Sequence, residues 1–324
     1  MIRKIKIEPF VFAIISAVLL AYLIPFFGNK ELVKPILLGI SSVGISLIFF
    51  FYGLKLNYTI IKEVLKKWKV HLIVQLATFV LFPLIVLLFY PFIRTDTAHT
   101  LWLAVFFLAV LPSSVSASVV MVAVAKGNVP AAIFNASISG IIGILITPIW
   151  MSYFIQVETM DFDFTEIYFK LVTEIIVPLI LGILLQRFFG NWAIRNAAKI
   201  SLFDKSIILL IVFKSFSESF LEGIFNSIGV VDLALLALSV IVLFWLVYYI
   251  IKLVCYRFDI NREDSIAIQF CGSKKSLIHA RVMSKIMFAH LPFVGIMLLP
   301  VMLFHGFQIV FVSFIAAKKA KEIL

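Results

Sequence analysis

Residues 269–279 read Gln-Phe-Cys-Gly-Ser-Lys-Lys-Ser-Leu-Ile-His, and Lys274 and Lys275 are the groups in that run best able to do chemistry. Two ammonium groups set among apolar neighbours can hold an anion, or can stand as a built-in positive charge in the place of a coupling ion. Lys274, Arg281 and Lys285 fall at i, i+7 and i+11, within roughly 20° of one helical stripe at about 100° per residue. If residue 274 opens a half-helix, the stripe climbs roughly 16 Å outward from mid-membrane, aided by the positive end of that helix. A cationic stripe beside a cavity attracts and guides anions. Lys285, near the outer end, also suits a side chain that snorkels to an interface.

A second polar run follows Pro112: Ser113, Ser114, Ser116 and Ser118. Hydroxyls such as these bond back to the i−4 carbonyl, ease helix packing, or line a site. Just downstream, Asn128 is a plausible helix cap with Pro130 in the first turn. Ala132, Ala136 and Gly140 then recur every four residues and allow a close helix contact. Asn135, Ser137 and Ser139 add polar groups to the same helix. Weaker candidates are Gln75 and Thr78, ahead of Pro83, and the pair His305 and Gln308. No metal-ligand cluster, nucleotide loop or nucleophile triad accompanies the lysines, so the residues point to binding and transport rather than to an enzyme.

The elements that must position these groups are membrane helices. The 324 residues are 63% hydrophobic and only 14% charged, and phenylalanine alone occurs 34 times. Mean hydropathy is +1.14. Such a chain uses lipid as its solvent, and its apolar runs have the roughly 20 residues a helix needs to cross hydrocarbon. Period-two alternation is missing, which argues against an outer-membrane barrel. Ten crossings are expected near 8–27, 33–54, 70–92, 101–125, 129–154, 167–189, 200–219, 229–254, 262–288 and 291–316. The net charge of +11 would suggest nucleic acid in a soluble protein. Here the basic residues gather in alternate loops and both tails, and the acids Glu158, Asp161, Asp163 and Glu166 collect in a loop on the other side. That bias places both termini in the cytoplasm of a multi-pass protein of the cell membrane, plasma or inner.

The ninth window holds Lys274, Lys275, His279, Arg281 and Lys285, and spans only if its neighbours shield it from lipid. Without that crossing the basic tail would lie outside. Ten helices divide into two sets of five, and an odd-numbered repeat must be inverted. Inverted repeats with interrupted matching helices mark the binding site of many secondary transporters. The fourth crossing breaks at Pro112 and the ninth at Gly272, where proline removes a donor and glycine eases unwinding.

The stretches LPSSVSAS, AKGNVPAAIFNASIS, FCGSKKSL, HLIVQLATFVLFP and LPVMLFHGFQ resemble the bile acid:sodium symporter superfamily, most closely its orphan branch of symporter-like transporters. The resemblance covers roughly residues 10–316. It implies an all-α polytopic fold of ten helices in two inverted five-helix repeats, about 8–154 and 163–316, forming a single transmembrane domain over 1–324. It implies a core of helices three to five and eight to ten, a panel of helices one, two, six and seven, and unwound helices four and nine that cross. In sodium-coupled relatives a helix-nine Glu, with a Gln one turn later, helps hold the cation. Here those positions are Gln269 and Ser273, followed by Lys274, a poor sodium site. No cofactor is expected, apart from sodium or a proton as coupling ion.

The function expected is secondary-active transport of a small organic anion by alternating access. The candidate binding residues are Ser113, Ser114, Ser116, Ser118, Asn135, Ser137, Ser139, Gln269, Ser273, Lys274 and Lys275, with Gln75, Thr78 and His305 in support. The partners expected are the lipid bilayer and that anionic substrate, with no nucleic acid. The alternative is a non-transporting regulator of ion homeostasis, since eukaryotic members of the branch are associated with calcium homeostasis.

Overall fold

The computed structural model describes residues 9–25, 33–55, 67–155, 169, 172–221, 229–288 and 294–321. Among the described residues every regular element is helical. The acidic loop at 158–166 and the basic residues at 3–6 and 62–66, on which the expected orientation rests, lie outside them.

In chain order, α1 is Pro9–Leu23 and α2 is Val33–Leu54. Next come α3 (Trp68–Leu76), a π-helical turn (Ala77–Leu81) and α4 (Phe82–Leu87), forming one continuous rod. Then follow α5 (Asp96–Val110), α6 (Val115–Val124) and α7 (Val129–Ser152). A second π-turn (Val172–Ile176) leads into α8 (Val177–Arg195), then α9 (Ala197–Leu221) and α10 (Val230–Arg257). The last elements are α11 (Arg262–Gly272), α12 (Leu277–Met287) and α13 (Val294–Lys321).

Among the described residues five stretches are long and apolar enough to cross a membrane: Pro35–Leu54, Trp68–Phe92, Val129–Ser152, Val172–Arg195 and Val230–Arg257. The fourth and ninth expected crossings do not qualify by length, because each is cut in two. Exposure runs opposite to that of a soluble protein. Leu184, Leu235 and Tyr256 are exposed, while Lys274, Lys275 and Arg281 are among the largest fully buried side chains. Lipid on the outside and polar groups gathered away from it within account for that inversion.

Pro83 explains the first π-turn. Within it the Phe82 N–H bonds to Ala77 O. In that wider register the Thr78 carbonyl would need the N–H of residue 83, which proline lacks. The turn therefore leaves backbone carbonyls open to side chains. Phe79 O accepts from Trp150 Nε1 at 3.1 Å, and Thr78 O is taken up at the centre of the molecule.

Helices α1, α2, α8 and α9 pack on one another, and α9 in turn meets α12 and α13. Gly53 and Gly182 bring α2 and α8 into backbone contact: a Cβ on Gly182 would run into Phe50 O, and one on Gly53 into Leu179 O. On the other side α11 packs against α3, α6, α7 and α10. The buried apolar core fills the space between these elements.

Candidate functional site

The two interrupted crossings meet. Residues Leu111–Ser114 separate α5 from α6, and Ser273–Ser276 separate α11 from α12. Unwound backbone inside a membrane protein must find partners within the fold, and here the carbonyls from Leu108 to Pro112 and from Gln269 to Cys271 can be traced.

At the end of α5, Leu108 O accepts from Leu111 N at 3.3 Å. Ala109 O accepts from Lys275 Nζ at 2.6 Å, and Leu111 O from the same atom at 2.8 Å. Val110 O accepts from Thr147 Oγ1 at 2.7 Å, and Pro112 O from Ser276 N at 2.8 Å. At the end of α11, Gln269 O accepts from Ser273 N at 3.2 Å and from Ser273 Oγ at 2.6 Å. Phe270 O accepts from Ser118 Oγ at 3.3 Å, and Cys271 O from Ser113 Oγ at 2.5 Å. Ser113 N donates to Ser139 Oγ at 2.9 Å. The first broken helix is thus capped by side chains of the second and of α7, and the second by side chains of the first.

Lys275 is the centre of this network. Its ammonium also donates to Thr78 O at 2.7 Å, the carbonyl that Pro83 leaves open, and stands 4.2 Å from the centre of the Phe82 ring. An ammonium has three donors, and all three are used. Positive charge at a helix C-terminus also offsets the negative end of the α5 dipole. The Lys275 main chain is clamped by Gln308, whose Oε1 accepts from Lys275 N at 3.3 Å and whose Nε2 donates to Lys275 O at 3.2 Å.

The remaining candidates divide by what they touch. Lys274, Ser113, Ser118 and Ser139 are wholly buried. Ser114 is buried and precedes α6 without a side-chain cap bond. Ser116 belongs to α6, but its side chain lies outside the described ones. Asn135 Nδ2 bonds back to Ala131 O at 2.9 Å, and Ser137 Oγ to Ile133 O at 2.7 Å, so both follow the local i−4 pattern. Gln75 Nε2 donates to Asn135 O at 3.2 Å, joining α3 to α7. Thr78 Oγ1 bonds back to Val74 O at 2.8 Å; its carbonyl, not its hydroxyl, serves the site. Gln269 Nε2 donates to Ser265 Oγ at 2.8 Å, and its buried Oε1 has no partner among the described residues.

Helix α7 supports the crossing as its small-residue face suggests, with one residue more than the sequence singled out. Asn128 caps it by accepting from Ala131 N at 3.0 Å. A Cβ on Gly140 would come within 2.8 Å of His279 Nε2, and one on Gly143 within 2.8 Å of the Pro112 ring. His279 itself pairs with Ser276 Oγ at 2.8 Å and packs edge-on against Phe49 of α2.

Three features lay beyond the sequence reading. Thr147 caps α5 from a helix distant in sequence. Asp264 joins the starts of α3, α7 and α11 by accepting from Lys67 at 2.8 Å, Asn128 at 2.5 Å and Asn261 at 2.8 Å; only the Asn261–Asp264 spacing of a helix cap hints at it. The cationic stripe also separates into unlike members. Lys285 donates to Ser42 Oγ at 2.7 Å and lies 3.9 Å from Glu174. Arg281 is fully buried, and its Nε and both terminal nitrogens have no hydrogen-bond partner among the described residues.

The chain is similar in sequence to several known proteins. A protein of Pseudomonas aeruginosa, PA2026, is 34% identical over 315 residues, covering 97% of this chain and 93% of its own. YfeH of Escherichia coli, whose name calls it a symporter, is 31% identical over 316 residues, 98% of this chain and 94% of its own. Sodium/bile acid cotransporter 7 of Rattus norvegicus is 28% identical over 320 residues, 95% of this chain and 91% of its own. The profile of the SBF-like CPA transporter family matches residues 8–321. With nearly its whole length inside that match, this integral membrane protein belongs to the SBF-like CPA transporter family, within the bile acid:sodium symporter superfamily.

Proposed function

We propose that the protein is a secondary-active transporter of a small organic anion, working by alternating access, with its substrate site at the crossing of the two interrupted helices. The observation that carries this reading is the meeting of the α5–α6 and α11–α12 breaks around buried Lys274 and Lys275. Unwound mid-membrane segments lined with polar groups are where transporters hold their cargo, and buried cationic groups in a membrane protein mark ion and substrate pathways. Ten crossings in two inverted repeats, with a panel formed by α1, α2, α8 and α9 moving against the remaining helices and both termini in the cytoplasm, complete the proposal.

Carbonyls released at the C-terminal end of a broken helix are places where transporters hold a coupling cation. In this chain Lys275 fills such a cluster with a covalently attached cation, and Gln269 supplies no negative charge beside it. The reading is therefore of a carrier that does not require sodium. Lys274, next in the chain and wholly buried, is the cation assigned to the substrate.

Purified protein in sealed liposomes, loaded with an unlabelled organic anion, should accumulate the labelled anion by counterflow. Lys274→Gln should raise KM about tenfold or more, the scale of one lost buried charge contact, whereas Lys285→Gln should leave KM near that of the wild type. Equal effects would mean bulk electrostatics rather than a site. If no anion gives counterflow under any gradient while Lys274→Ala alters cellular ion handling, the protein is instead a membrane regulator.

A further inference from the structure

We propose that Arg281, together with the Nε2–H of His305, forms an oxyanion-binding site at the start of α12, specific for a carboxylate, sulfate or phosphate group. The inference rests on the anion-carrier reading and names the residues that would grip the charged head of the cargo.

Arg281 is wholly buried, yet all three guanidinium nitrogens lack a hydrogen-bond partner among the described residues. Buried charge without a partner is costly, and a guanidinium, unlike an ammonium, gains little relief by losing its proton. Its fork of donors matches the two oxygens of a carboxylate or phosphate. Among the described residues the carboxylates held in ion pairs are engaged by other cations: Glu174 by Lys285, and Asp264 by Lys67. Helical side chains lean toward the N-terminus of their helix, so Arg281 reaches back toward the positive end of the α12 dipole.

His305 belongs to α13, which packs against the α12 helix that carries Arg281. Its tautomer follows from Gln308. Lys275 N can only donate and Lys275 O can only accept, so the Gln308 amide is fixed with Oε1 toward the first and Nε2 toward the second. That Nε2 is also 3.1 Å from His305 Nδ1 and can only donate, so Nδ1 accepts. The ring proton is then on Nε2, a donor on the side away from Gln308. Lys275 therefore sets the tautomer of His305 through one amide, while its own ammonium stays engaged with three carbonyls. Because α12 packs against both α9 and α13, an oxyanion held here would sit where one helix group faces the other.

Thermal unfolding of the full-length protein in detergent, titrated with sodium sulfate, sodium phosphate or sodium succinate against sodium chloride at matched ionic strength, tests this. The wild type should show a saturable rise in Tm with at least one of these oxyanions and none with chloride. Arg281→Gln should weaken the apparent Kd about 30-fold or more, the scale for losing one side of a buried charged contact. Lys285→Gln should retain the response. A wild type that treats all three oxyanions as it treats chloride overturns the proposal, as does an unchanged Kd in Arg281→Gln. If that variant does not fold, Arg281→Lys decides: an unaltered midpoint overturns the site, and a shift to higher concentration supports it. Oxyanion binding without counterflow would keep this site and remove the carrier reading. Counterflow with an unaltered KM in Arg281→Gln would do the reverse.

Discussion

The two lysines that stand side by side in the sequence have different work in the fold. Lys275 closes three carbonyls on two separate helices, and its neighbour Lys274 is wholly buried beside them. Lys275→Met should therefore destabilise the protein. Each orphaned buried carbonyl costs about 1–3 kcal/mol, and the total should appear as a clear fall in Tm in detergent, with or without substrate. Thr147→Val should cost about 1–3 kcal/mol by the same reasoning, because Val110 O loses its donor. Ser137→Ala should lie near neutral, since the hydrogen bond of that hydroxyl to Ile133 O runs back along its own helix to a carbonyl already in the ladder. A comparison of melting temperatures across the three variants checks the order. The residue types at the site were legible in the sequence, but their partners were not: Lys275 finds its carbonyls 164 to 197 residues away. Arg281 was visible as one member of a stripe, and nothing in periodicity could separate it from Lys285, which has Ser42 and Glu174 to turn to.

The elements themselves were read closely where caps and breakers mark them. The expected fifth crossing at 129–154 is α7 at Val129–Ser152, fixed by Asn128 and Pro130. The ninth at 262–288 is α11 and α12 together, opened by Asn261 and parted after Gly272. The fourth begins earlier than the expected residue 101, because Thr95 caps α5 by accepting from Ala98 N at 3.2 Å. Hydropathy alone does not see that cap. Nor does it see the π-turn ahead of Pro83, which turns a helix breaker into an acceptor for Lys275. Close contact between elements yields its own prediction. The α2–α8 interface has no room for a side chain at Gly182, where the opposing atom is the Phe50 carbonyl. Gly182→Leu should cost at least about 1–3 kcal/mol through overpacking against backbone that cannot give way. Loss of monodisperse protein on size exclusion, beside an intact Leu184→Ala control on an exposed position, is the measurement.

At the scale of the whole molecule, composition sufficed to assign the solvent, and the matching breaks sufficed to suggest a carrier. What the sequence could not provide is the way the breaks satisfy one another, since most of the released carbonyls take their donors from residues distant in sequence. The resulting account is of an anion carrier in which a fixed ammonium of its own chain occupies the place where relatives hold a coupling cation. Its most direct test is the initial rate of organic-anion counterflow into sealed proteoliposomes, measured with sodium on both sides and then with choline in its place. The account predicts the same rate in both. A rate that collapses in choline and returns with sodium would contradict it.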